Sequence, residues 1–100
     1  MTIIEARRQW AEKKLSQCTE PELEVVKLFL LEDTDLTLEQ AEGLCKIAGI
    51  KAAKDIIDAL KHKGILFRMR EWEHPPENYT LSFGSYTMIN FYRRYLFNSA

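Results

Sequence analysis

Apolar residues recur along the chain first at the period of a helix and later at the period of a strand. Over residues 3–15 they fall three or four positions apart, which predicts a first helix with a narrow apolar stripe. Segment 23–31 is too apolar for a one-sided surface helix, so we expect it to be the central buried helix. Two further amphipathic helices are predicted over 38–48 and 51–63.

Polar residues and glycines mark the ends of these helices. Thr19-Glu20-Pro21-Glu22 and Thr37-Leu38-Glu39-Gln40 both have the form of a capping box, which predicts that a helix begins at each. Gly49 and Gly64 suit the left-handed turn that follows a helix. Ser85 is the expected N-cap of a last, aromatic-rich helix over 86–97.

Between Gly64 and that last helix the apolar residues alternate. Phe67 and Met69 face one way on a predicted strand. The side chains expected on its outer face are Arg68, Arg70 and Trp72. A turn over 74–78 and a second alternating run over 79–83 complete a β-hairpin. The sequence therefore predicts a mainly α fold with a small β-hairpin, in the α+β class.

One hundred residues suffice for one hydrophobic core and leave no room for two. We therefore expect a single domain over 1–100. Its parts are an N-terminal helix within 1–18, a core over 19–83 and a C-terminal helix over 85–97.

The stretch from Leu36 to Phe83 resembles the winged helix-turn-helix superfamily. Within it, one segment is similar to the MarR- and PadR-like pattern of that superfamily: LTLEQAEGLCKIAGIKAAKDIIDALKHKGILFR. In that pattern a helix that opens with Leu-Thr is followed by a turn, a recognition helix and a wing. The residues that match the end of the recognition helix are Leu60, Lys63, Gly64, Ile65 and Leu66. The turn over 46–51 lacks the usual Gly-hydrophobic-Ser/Thr-x-Ser/Thr run, so the resemblance reaches the superfamily and no single family.

The resemblance implies a small transcription regulator that binds specific sequences of double-stranded DNA. Helix 51–63 would lie in the major groove, and the wing over 67–82 would touch the backbone or the minor groove. The expected DNA-binding residues are Lys51, Lys54, Lys61, His62, Arg68 and Arg70. It also implies a homodimer held by the terminal helices, whose interface candidates are Trp10, Tyr92, Tyr95 and Leu96.

Charge along the chain supports this interpretation only in part. The net charge is −1, but segment 21–50 carries −5 and segment 51–74 carries +2, so the recognition helix and wing fall in the basic part. Asp55 and Asp58 each lie four residues after a lysine, and these four residues can instead form intrahelical ion pairs on a solvated face. Arg68 and Arg70 can likewise be solvated charges of an edge strand.

A second interpretation is a winged helix that binds a protein and no DNA. The overall charge and the acidic segment 21–50 favour it, and exposed aromatic residues such as Trp72, Tyr92 and Tyr95 would be its anchors. The terminal helices can also cover each other within one monomer, without a dimer.

Enzymatic chemistry is not expected. The chain has no Gly-rich phosphate loop and no Ser-His-Asp or His-Cys constellation, and His62 and His74 suit surface or turn positions. Cys18 and Cys45 are expected to be buried free thiols, with no metal and no cofactor. The charged N-terminus and the lack of a long apolar run predict a cytoplasmic protein without a membrane partner. A DNA-binding regulator that consists of this module alone would suit a small prokaryotic, viral or plasmid genome.

Overall fold

A computed structural model of the chain describes residues 1–32, 35–70 and 79–97, with the side chains of Arg70 and Tyr79 left out. In chain order, its elements are α1 (Ile3–Ser16), α2 (Glu20–Glu32), β1 (Leu36–Thr37), α3 (Leu38–Ile47), α4 (Ala53–His62), β2 (Phe67–Arg70), β3 (Tyr79–Ser82) and α5 (Tyr86–Phe97). The predicted α+β class, mainly helical with a small antiparallel sheet, is confirmed. Within those ranges, no helix is both long and apolar enough to cross a membrane.

Both predicted capping boxes are formed. The backbone N–H of Thr19 donates to Glu22 Oε1 at 2.8 Å, and the N–H of Glu22 donates back to Thr19 Oγ1 at 3.3 Å. Thr37 and Gln40 make the same exchange at 3.0 and 3.1 Å. Each box satisfies two backbone donors that the first turn of a helix leaves without partners, which is why α2 and α3 begin where they do.

Helix α4 begins two residues later than its pattern predicts. Its N-cap is Ala52, which lies in the left-handed region at φ 56° and provides no side-chain cap. Gly49, at φ 79°, ends α3 as expected, and the chain then reverses through the linking residues to Ala52. Alanine carries no group that could mark this boundary in the sequence, so the pattern alone places it too early.

The three strands form an antiparallel sheet in the order β1-β3-β2. The two-residue strand β1 is not predicted by the sequence. In the register, Leu81 stands opposite Leu36 on one side and Arg68 on the other, so these three side chains share one face. Leu36 and Leu81 are buried. The expectation that Arg68 lies on the outer face is therefore wrong: it is exposed only because β2 is an edge strand.

The core lies between the sheet face of Leu36 and Leu81 and the inward sides of the helices. Helix α2 is the central element, with Val25 and Val26 wholly buried, as its apolar run predicts. Helices α1 and α5 pack against each other, so the two terminal helices cover each other in part within one chain. The other strongly buried members of the core are Ala11, Leu15, Phe29, Leu30, Ala41, Cys45, Ile57, Leu60, Ile65, Leu66, Phe83 and Tyr92.

Candidate nucleic-acid interface

The outward side of α4 presents charges of both signs. Ile57 and Leu60 turn into the core, which leaves the opposite side of the helix in solvent. The exposed residues on and just before this helix are Lys51, Ala52, Lys54, Asp55, Asp58 and His62. Since Asp55 and Asp58 lie along the middle of that side, the lysines flank an acidic centre.

On this side of the helix, the described residues include an ion pair between Lys61 and Asp58, which is not one of the predicted pairs. Lys61 Nζ lies 3.2 Å from Asp58 Oδ1, three residues earlier. The expected pairs of Lys51 with Asp55 and Lys54 with Asp58 are not among the ion pairs in the part of the chain that the structure describes. Lys61 is therefore partly neutralised, whereas Lys51 and Lys54 present their charges to solvent.

A shallow hollow at the turn between α3 and α4 concentrates positive charge. Lys46, Lys51 and Lys54 line it together with a single carboxylate, that of Glu42. The first N–H groups of α4 lie at the same end of the helix, where the helix dipole is positive. Sequence reasoning missed Lys46, although its place in the last turn of α3, shortly before Lys51, was a usable signal.

The wing is described only at its base. Arg68 lies exposed on β2, and the backbone of Arg70 continues that strand. Outside the described residues lie the side chain of Arg70 and segment 71–78, which includes Trp72, His74 and the predicted turn over 74–78. The predicted basic and aromatic strip of the wing is therefore represented here by Arg68 alone.

The turn from α4 to β2 is fixed by Lys63 and Gly64, two residues of the matched ending. Lys63 Nζ lies 2.6 Å from each carboxylate oxygen of Glu22, whose side chain is only 5% exposed. Gly64 adopts φ 74° and its carbonyl accepts a hydrogen bond from Lys14 Nζ at 2.8 Å. Lys63 and Gly64 thus join the end of α4 to α2 and α1, so their role is to stabilise the fold.

Ionisation of the buried groups agrees with this structural role. Burial alone would raise the pKa of Glu22, but the hydrogen bonds from Lys63 and Thr19 outweigh it and lower the pKa below its usual value. Burial raises the pKa of the Cys18 and Cys45 thiols, so both remain protonated and weakly nucleophilic at neutral pH. Both are free cysteines, with Cys45 buried as expected and Cys18 half-buried.

The four expected dimer residues do not form one surface. Tyr92 is 1% exposed and its ring centroid lies 5.5 Å from that of Phe83, so its selection as an interface residue is wrong. It is buried because this side of α5 packs into the monomer. Tyr95 is 40% exposed and Leu96 is half-buried against the core. Trp10, which is 57% exposed, lines a groove to which α5 contributes none of the described residues.

Two basic surfaces therefore stand out among the described residues. One surrounds the start of α4, where Lys46, Lys51 and Lys54 lie together, and the other is the groove beside Trp10. Arg68 belongs to neither set of lining residues. Comparison with known proteins assigns no family: no protein-family model, curated protein or solved structure matches the chain.

Proposed function

We propose that this chain is a winged helix-turn-helix protein that binds double-stranded DNA as a small, sequence-specific transcription regulator. The observation that carries the proposal is the order of elements together with the sheet order β1-β3-β2. In this assignment α3 and α4 are the two helices of the helix-turn-helix, and β2 and β3 are the strands of the wing. Helix α4 is then the recognition helix.

The exposed positive charges support binding to the phosphates of DNA. Lys46, Lys51 and Lys54, around the turn between α3 and α4, can contact the backbone on one side of the major groove, and Arg68 on β2 can contact it through the wing. Asp55 directly follows Lys54 on the helix and is exposed as well. A carboxylate there repels phosphates but can accept a hydrogen bond from the N4 amine of cytosine, which would make it a determinant of sequence.

Neutralising the lysines at the start of α4 is expected to weaken duplex binding. Fluorescence anisotropy of a labelled random-sequence duplex of about 20 base pairs, titrated at several salt concentrations, measures this. The wild type should bind with a dissociation constant of about 1–100 µM at physiological salt, as non-specific DNA binding does, and more tightly at low salt. The slope of log K against log salt is negative, and the Lys51→Gln/Lys54→Gln variant should reduce its magnitude by about 2. This is about one unit for each phosphate that a lysine no longer neutralises.

Lys27→Gln/Arg94→Gln is the matched control, since it removes the same charge at residues that line neither basic surface. Lys27 lies on α2 beside Glu24, and Arg94 lies exposed on α5. This control should keep the wild-type slope. Equal losses of affinity in the two variants would show that only net charge matters, and absence of binding up to about 100 µM would reject the proposal.

A protein-binding winged helix is the second candidate. The observation that favours it is the acidic centre of the α4 surface, since Asp55 and Asp58 are exposed where DNA would approach. An interface centred on apolar or aromatic anchors depends weakly on salt, whereas a phosphate grip weakens steeply with it. A partner captured equally well at low and moderate salt, with no duplex binding, would support this candidate over DNA.

We also propose that two copies associate through the terminal helices. At the start of α1, Ile3 is 75% exposed and Ile4 is 67% exposed, and Tyr95 and Phe97 remain partly exposed on α5. A lone helical segment with uncovered isoleucines is only marginally stable in water, so a second copy that covers it gains apolar burial on both sides.

Light scattering at micromolar concentration tests this association. We expect twice the 11.7 kDa mass of one chain for the wild type. The Ile4→Ser/Tyr95→Ser variant should give the monomer mass, because it removes apolar area that a standard interface of about 800 Å² per partner requires. Tyr86→Ser, at a residue that is 85% exposed at the start of α5, is the control and should leave the mass unchanged. A wild-type monomer would contradict the dimer.

A further inference from the structure

A basic and aromatic groove lies between α1 and the turn that joins α4 to β2. The residues that matter in it are Trp10, Lys13, Lys14, His62, Lys63 and Phe67, and we call it the α1 groove. None of the described residues that line it is acidic. It is separate from the lysine cluster at the start of α4, with which it shares no residue.

The two aromatic rings of the groove are exposed yet held in place. Trp10 is 57% exposed, and Lys14 Nζ lies 4.0 Å from the centroid of its ring while donating to the Gly64 carbonyl. Phe67 is 43% exposed and its ring lies against Gly84, where a Cβ atom would come within 3.2 Å of it. Large apolar rings fixed at the surface cost little further entropy when a flat partner stacks on them.

The net charge of the groove comes from Lys13 and Lys14, and Arg7 adds to it from just outside the lining residues. Lys63 is paired with Glu22, so it contributes little net charge. Lys13 is exposed, and Arg7 lies exposed one turn before Trp10 on the same side of α1. In the described part of the chain neither Arg7 nor Lys13 has an ion pair. The groove is therefore a positive strip interrupted by two rings.

We propose that the α1 groove binds single-stranded DNA, with bases stacked on Trp10 and Phe67 and phosphates against Arg7 and Lys13. Aromatic platforms inside a positive groove are the usual means of holding unpaired strands, since every base has a face that can stack. An acidic peptide would also satisfy the lysines, but only some of its side chains could stack on the two rings. A duplex would satisfy the cations but keeps its bases stacked on each other.

The source of the strand follows from the position of His62. This residue lies at the end of α4 and lines the groove, so an unpaired strand that leaves a duplex bound on α4 would meet the groove at His62. This path from a duplex on α4 to the groove rests on the proposed function, whereas binding of a free single strand to the groove does not.

Tryptophan fluorescence tests the stacking directly. The chain has two tryptophans, so a Trp72→Phe background leaves Trp10 as the only one. Titration with an oligothymidylate of about 12 nucleotides, within the usual site size for one module, should quench Trp10. Inorganic polyphosphate of the same charge should bind without comparable quenching, because it has no bases. Equal quenching by both would overturn the proposal.

Variants test the rings and the cations separately, with anisotropy of the labelled oligothymidylate as the readout. Phe67→Leu and Trp10→Leu should each weaken binding by about tenfold, the loss expected for one stacked base. Arg7→Gln/Lys13→Gln should lower the salt dependence. Tyr86→Leu and Lys27→Gln are the matched controls, at an exposed ring and a lysine outside the groove, and should bind as the wild type does.

The outcomes separate this inference from the proposed function. Loss of single-strand affinity in the ring variants, with circular dichroism and mass unchanged, supports the groove even if no duplex binds. Duplex binding that needs Lys51 and Lys54, together with wild-type single-strand affinity in Phe67→Leu, overturns the groove and leaves the proposed function intact. A changed mass in Trp10→Leu also overturns it, since the groove would then be an interface between copies.

Discussion

Replacing Tyr92 with alanine is expected to lower the free energy of unfolding by about 3–5 kcal/mol, the cost of truncating a large core aromatic residue. Tyr92 is 1% exposed, and its ring contacts that of Phe83, which in turn meets Phe29 edge-on with centroids 6.1 Å apart. The truncation therefore opens a cavity where α5 meets the sheet and α2. Urea unfolding followed by circular dichroism at pH 7 measures the change.

Two further variants make this result specific. Tyr92→Phe keeps the ring and should cost far less, and Tyr95→Ala, at a residue that is 40% exposed, should cost at most about 1 kcal/mol. Equal losses of stability in Tyr92→Ala and Tyr95→Ala would contradict the burial of Tyr92.

The phenol of Tyr92 should also titrate late. Burial raises its pKa from 10.0 to about 12. An alkaline absorbance titration should therefore show a late step near pH 12, and Tyr92→Phe should remove that step. Because the folded pKa is the higher one, the associated stability is full below about pH 10 and is lost as the pH rises towards 12.

Replacing Lys63 with methionine is expected to cost about 2–3 kcal/mol, because it leaves the buried Glu22 carboxylate without its cation. Breaking a fully buried pair costs more, but the Lys63 side chain is 32% exposed and water screens part of the interaction. Urea unfolding at pH 7 measures this loss. The Glu22→Gln/Lys63→Met variant should recover much of it, since glutamine keeps the capping box with Thr19 and removes the charge.

The pH dependence of this pair has a defined sign. The folded pKa of Glu22 is lowered, so its contribution is present above the unfolded pKa, near 4.5, and is lost as the pH falls through the folded value. The advantage of the wild type over the double variant should therefore be full at pH 7 and shrink in acid. An advantage that stays constant down to about pH 2, below the ordinary range of carboxyl groups, would show that the charge of Glu22 is not involved.

Local signals in the sequence predicted most of the helical framework. Both capping boxes, the turn glycines Gly49 and Gly64 and the N-cap Ser85 act within a few residues, so they can be found in the sequence alone. The apolar run of α2 likewise predicts its central position. Such features depend on interactions between near neighbours, which one sequence contains in full.

The features that sequence analysis missed depend on distant parts of the chain. Strand β1 is too short to show a period, and it exists because Leu36 and Thr37 find partners on β3. Tyr92 looks like the other aromatic residues of α5 until the packing of that helix is known. The side of β2 on which Arg68 lies follows from the register with Leu81, which no local pattern determines.

The α1 groove shows the same limit for the candidate sites. Trp10 and Phe67 are 57 residues apart in sequence, and nothing around either residue indicates that they line one surface. The lysines around the start of α4, in contrast, lie within nine positions of one another, and two of the three were identified from the sequence.

The two lysine contacts at the turn from α4 to β2 also affect the order in which the chain can fold during synthesis. Fifty residues separate Lys14 from Gly64, and 41 separate Glu22 from Lys63. On the ribosome, α1 and α2 emerge well before the residues that secure them. Burying the carboxylate of Glu22 carries a large desolvation cost until Lys63 has been synthesised and can pair with it. Native packing of the N-terminal third therefore has to wait for the second half of the chain.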